Sequence, residues 1–114
     1  MPGIFGIIFK DEAVCCNKFY NIVKTAIHEP WYTSGVISFE ANGMHAGWIN
    51  HPGSFSDCLP VKNEKEDISL IFYGEAFPDN ETFERLKKNG HSFNKNNASW
   101  IVHLYEEYGE ERFL

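Results

Sequence analysis

Basic residues are scarce in this chain, and with them everything that a polyanion-binding surface needs. Ten Lys and Arg stand against sixteen Asp and Glu, giving a net charge of −6 and a pI of about 5.3. The longest basic feature is Lys87-Lys88, too little to neutralise a row of phosphates, so neither nucleic acid nor an anionic membrane is an expected partner. No apolar run approaches the roughly 20 residues of a membrane span. Met1 to Phe9 lacks a basic leading segment and is too short for a secretory signal. Cysteine is sparse as well. Cys15, Cys16 and Cys58 form an odd set without repeating spacing, which excludes a disulfide framework and a CxxC redox pair. Reduced thiols in a cytoplasmic protein are the expectation. The histidines, His28, His45, His51, His91 and His103, show no ligand spacing such as HxxxH. They are expected to be ordinary surface or core side chains, with no metal and no cofactor in this domain.

What the chain does have is apolar and aromatic bulk. Its 114 residues suit one domain, 43% are hydrophobic, and the 16% that are aromatic include ten Phe able to fill much of a core. Gly3-Ile4-Phe5-Gly6-Ile7-Ile8-Phe9 has the length and branching of a buried strand, and its two glycines imply a close approach to the backbone. From Ala13 to His28, the positions of Val14, Phe19, Ile22, Val23, Ala26 and Ile27 predict an amphipathic helix that Glu29-Pro30 ends. Val36–Phe39 and Met44–Ile49 predict strands joined by a turn at Ala41-Asn42-Gly43. Ile68–Tyr73 is the strongest strand pattern in the chain, and it breaks at Gly74-Glu75-Ala76-Phe77. A helix follows Pro78, with Asp79 or Asn80 as its N-cap, Phe83 and Leu86 on its inner face, and Gly90 just past its end. His91–Asn97 is polar loop, and Ala98–Tyr108 predicts a further amphipathic helix stopped by Gly109. The element order implies an α+β arrangement built on an antiparallel sheet.

Three stretches in order, Gly3-Ile4-Phe5-Gly6-Ile7, Tyr73-Gly74-Glu75-Ala76-Phe77 and His103-Leu104-Tyr105-Glu106-Glu107-Tyr108-Gly109, resemble the class II glutamine amidotransferase domain of the asparagine synthetase family. The resemblance spans nearly the whole chain but is carried by its two ends. It implies an N-terminal nucleophile hydrolase-like fold for residues 1–114, an antiparallel sheet with packed helices that is partial, its C-terminal part incomplete. It also implies a chemistry in which an N-terminal cysteine thiolate attacks the glutamine amide, with its own α-amine as base. Ammonia then passes to a downstream synthetase domain that uses ATP and Mg.

This sequence departs from that pattern where the chemistry is done. Pro2 occupies the nucleophile position and has no sulfur to form a thioester. The arginine that would grip the substrate carboxylate falls nearest Gly47, and no Arg precedes Arg85. The asparagine of the oxyanion hole is replaced in Tyr73-Gly74-Glu75, although the Gly74 N–H remains. The aspartate for the substrate amine aligns with Asn97, which carries no charge. Gly74, Glu75 and Asn97 are therefore the residual substrate-binding candidates, with Glu75 open to a second role as a turn cap. There is no catalytic residue.

The resemblance thus implies a pseudoenzyme domain, structural or regulatory, within a ligase of the asparagine biosynthesis type, partnered by its own downstream synthetase domain or a second subunit. Two other readings stay open. One is a stand-alone dimeric binding module, paired through the open sheet edge of a partial domain. The other is a tautomerase-like enzyme using the Pro2 amine, since Met1-Pro2 precedes a strand as in that family, although no cationic residue lies nearby in sequence to lower the amine's pKa.

Overall fold

The computed structural model describes residues 2–9 and 16–113. The expected helix start at residues 13–15, with Cys15, lies outside them. The described chain is α+β, with a small antiparallel sheet and several helices, and it divides into two compact units, 1–54 and 55–114.

In the first unit, β1 (Gly3–Ile8), β2 (Thr33–Phe39) and β3 (Met44–Asn50) form a sheet in the order β1-β3-β2, both pairings antiparallel. The register sets Phe5 opposite Gly47 and Gly47 opposite Val36. Helix α1 (Cys16–Thr25) lies on that face. Its Phe19 and Val23 bury against Ile49, with Phe5, Ile7 and Val36 around them. Glycine is required at Gly47. A β-carbon there would stand 2.8 Å from Val23 Cγ2 and 3.2 Å from Phe19 Cε1, so the close approach expected at the glycines of the first strand occurs on β3 instead. A β-carbon at Gly3 would meet nothing within 4 Å, and one at Gly6 only His45 O at 4.0 Å. The turn between β2 and β3 is a single 3₁₀ turn, Glu40–Asn42, closed by Gly43 at φ +60°. The strands run longer than the sequence pattern predicts, β2 from Thr33 and β3 to Asn50.

The second unit has little sheet. Strands β4 (Val61–Lys62) and β5 (Ser69–Leu70) pair antiparallel over two residues each. The expected strand Ile68–Tyr73 is therefore cut short. The Asn63 side chain accepts from the Ile68 N–H at 3.0 Å, and no strand faces residues 71–73 among the described residues. Phe72 turns to an edge-on ring contact with Phe55 instead. Helix α2 (Asn80–Lys88) starts at Asp79, whose carboxylate accepts from the Thr82 N–H at 2.8 Å. The Thr82 side chain and N–H hold the Asp79 carboxyl below its ordinary value. The expected helix 98–108 begins as a 3₁₀ turn, Ala98–Trp100, and continues as α3 (Ile101–Tyr108), followed by α4 (Glu110–Phe113). The core joins Phe83 and Leu86 of α2 to Ala98, Trp100 and Ile101. Phe83 meets Trp100 edge-on at 5.6 Å and stacks on Phe93 at 5.7 Å. Burial raises the Cys58 thiol beside this core.

Candidate functional site

The positions that the sequence resemblance would tie to glutamine chemistry lie on separate elements. Pro2 directly precedes β1. The place nearest the substrate-gripping arginine, Gly47, is covered by α1 as described above. Tyr73-Gly74-Glu75 is an exposed stretch with a bend at Gly74, which has φ +130°. Among the described residues no hydrogen bond of the Glu75 side chain joins this stretch to another element. Asn97 caps the turn that leads into α3, its side-chain oxygen accepting from the Ser99 N–H at 3.0 Å. An apolar recess of about 410 Å³ lies between β5 and α3–α4, lined by Leu70, Val102, Tyr105 and Phe113. Its one charged lining residue is Glu110, so it offers an α-carboxylate no cation.

Polar chemistry gathers elsewhere in the second unit. Helix α2 ends with Gly90 at φ +91°, its N–H bonded to Lys87 O, while the His91 N–H reaches back to Leu86 O at 3.1 Å. That is the Schellman arrangement, and it fixes the direction in which the chain leaves the helix. His91 is set there by the backbone, and its ring stacks on that of His103, with centroids 4.5 Å apart. His103 and Glu106 sit one turn apart on the inner side of α3. Glu64 comes in from the turn after β4, anchored by the Ser92 N–H at 3.1 Å.

His103 Nδ1 lies 3.4 Å from Glu64 Oε2 and 3.7 Å from Glu106 Oε2, and His91 Nδ1 lies 3.4 Å and 3.9 Å from the same two oxygens. Three carboxylates crowd these imidazoles, because Glu107 Oε1 is 3.4 Å from His91 Nε2. The nearby cations serve them poorly. Lys65 is exposed and stands 3.9 Å from Glu106, and Arg85 reaches only Glu107. Burial alone would raise the Glu64 carboxyl, but the Ser92 N–H, its own backbone and the neighbouring histidines outweigh it and hold the group below its ordinary value.

Comparison with family models, with characterised proteins and with solved structures found no match. The residues of this cluster were not singled out as a group by the sequence. Its one local signal is the i, i+3 pair His103 and Glu106, continued by Glu107. Glu64 and His91 stand 27 positions apart and meet only in the fold.

Proposed function

We propose that this chain is a non-catalytic glutaminase-like domain, related in fold to the N-terminal nucleophile hydrolases, with a structural or regulatory role in an asparagine-synthetase-like ligase that forms amides with ATP. The observation that carries the reading is the packing at Gly47. The place nearest the carboxylate-gripping arginine is filled by Val23 and Phe19 of α1, packed on that face of the sheet, so a side chain there has no room. Proline at position 2 removes the nucleophile, and the uncharged Asn97 is engaged as a cap. Nucleophile and substrate grip are thus lost together, which distinguishes a domain retained for its shape from an enzyme carrying one damaged residue. In this reading ATP and Mg belong to a synthetase domain or a second subunit.

The test is a Pro2→Cys variant with Met1 removed, assayed for glutamate release and titrated with glutamine by calorimetry. Neither turnover nor saturable binding is expected, because restoring the thiol does not restore the grip. Turnover by Pro2→Cys at a rate typical of glutaminases would overturn the reading.

A second reading, a homodimeric binding module, draws on the first unit's sheet. Both β1 and β2 are edge strands, and Ile8 and Ile4 on β1 are 72% and 49% exposed. Light scattering across a concentration series decides it, and a mass of one chain throughout rejects it.

A further inference from the structure

We infer that Glu64, His91, His103 and Glu106 form a binding site for a divalent transition ion of the zinc type, a closed four-ligand site that ties together the second unit. This goes beyond the functional reading above and does not depend on it.

Each of the four residues offers one ligand atom, and these atoms all lie within 4.8 Å of one another. Bonds of roughly 2.0–2.2 Å from zinc to nitrogen and oxygen put tetrahedral ligand atoms about 3.3–3.6 Å apart. Four of the separations are 3.4, 3.4, 3.7 and 3.9 Å. With the remaining pairs inside 4.8 Å, the arrangement approaches a coordination shell, and a contraction of at most about 1 Å would complete it.

The second, independent observation is that the cluster's inner atoms lack hydrogen bonds. The His103 side chain is only 3% exposed, yet its Nδ1, aimed at the two carboxylates, makes no hydrogen bond. Glu106 Oε2, 3.7 Å away, makes none either. Among the described residues the only other such buried side-chain atom is Trp100 Nε1. A buried imidazole nitrogen and a buried carboxylate oxygen that face each other unbonded are costly unless something neutralises them. A dication accepting both lone pairs does so, and it balances a pocket with more carboxylate than nearby cation.

The surroundings fit a metal site as well. His91 presents Nδ1 to the centre while its Nε2 faces the Glu107 carboxylate at 3.4 Å, the carboxylate–histidine–metal relay that fixes tautomer and ring orientation. Glu107 is held in turn by Arg85 and Asn89. The second oxygens of the ligand carboxylates are oriented too, Glu64 Oε1 by the Ser92 N–H and Glu106 Oε1 by the Asn63 amide at 3.3 Å. Two imidazoles with two carboxylates suit zinc and its neighbours, whereas magnesium and calcium call for six or more oxygens. Four protein ligands leave no open position, so the role is structural. The ion would clamp the β4–β5 turn and the end of α2 onto α3.

The experiment is calorimetric titration of tag-free, chelator-stripped protein with Zn²⁺, and separately with Mg²⁺ and Ca²⁺, together with melting curves. One zinc per chain is expected, with a rise in Tm and no response to Mg²⁺ or Ca²⁺. Glu64→Gln, whose side chain is 44% exposed and so spares the core, should weaken binding strongly. Glu107→Gln, one step removed from the ion, should weaken it by roughly 10- to 100-fold. His103→Ala is buried, and if it fails to fold the two glutamate variants still decide. Absence of saturable zinc binding overturns the inference. So does zinc binding of equal affinity in Glu64→Gln and the parent, which would place the ion on other histidines or thiols.

Discussion

Asp79 shows how one side chain sets a helix boundary and gives it a pH dependence. Its carboxylate accepts from Thr82 at the start of α2, and this holds the acid below its ordinary value of 3.8. A carboxyl lowered in the folded state adds stability above its unfolded pKa, and that contribution disappears as the pH falls through the lowered folded value. The Thr82 amide resonance should therefore titrate with a midpoint below 3.8. In Asp79→Asn, which keeps an accepting oxygen, that titration should vanish while the cap remains. Gly47 makes a different point. Its missing side chain is part of the core, and Gly47→Ala should cost about 1–3 kcal/mol through contact with Val23 and Phe19, measurable by urea unfolding. Unchanged stability would mean that α1 yields easily, which would weaken the argument that an arginine has no room there.

At the scale of elements, α2 was almost fully legible in the sequence. Asp79, the Phe83 and Leu86 spacing, and Gly90 are local signals, and each acts as such signals should. The first strand and the β2–β3 pair were legible for the same reason, but β1 is not the buried strand its branched run implies, because Ile4 and Ile8 on one of its faces are exposed. Ile68–Tyr73 was not, because a strand needs a partner and its only strand partner among the described residues is the two-residue β4. A run of branched and aromatic residues cannot say what lies beside it. The His and Glu cluster was the least legible feature. Glu64 sits in a turn, His91 is placed by the Schellman ending of α2, and His103 and Glu106 belong to α3, so only the fold creates the spacing. Gly90 is the hinge of that construction. A β-carbon there meets nothing within 4 Å, but φ is +91°, so Gly90→Ala should cost about 1 kcal/mol through backbone strain alone. It should also loosen zinc binding by displacing His91. A lowered Tm with unchanged zinc affinity would separate the cap from the site.

On the scale of the whole chain, the two units divide the chemistry. Residues 1–54 carry the sheet, and in the proposed reading its Gly47 and the preceding Pro2 stand where glutamine chemistry would need a cation and a thiol. Residues 55–114 carry a helical core, with a polar cluster where α2 ends against α3. No helix among the described residues is long and apolar enough to cross a membrane. The proposed domain would then contribute shape and contact to a ligase that draws its ammonia, or another amine, from elsewhere. The most direct measurement is ammonium release from amide-¹⁵N-labelled glutamine, followed by NMR with the unaltered chain at high concentration and with zinc present. The account predicts a rate equal to that of buffer. Sustained release that scales with protein concentration and stops on thiol alkylation would contradict it.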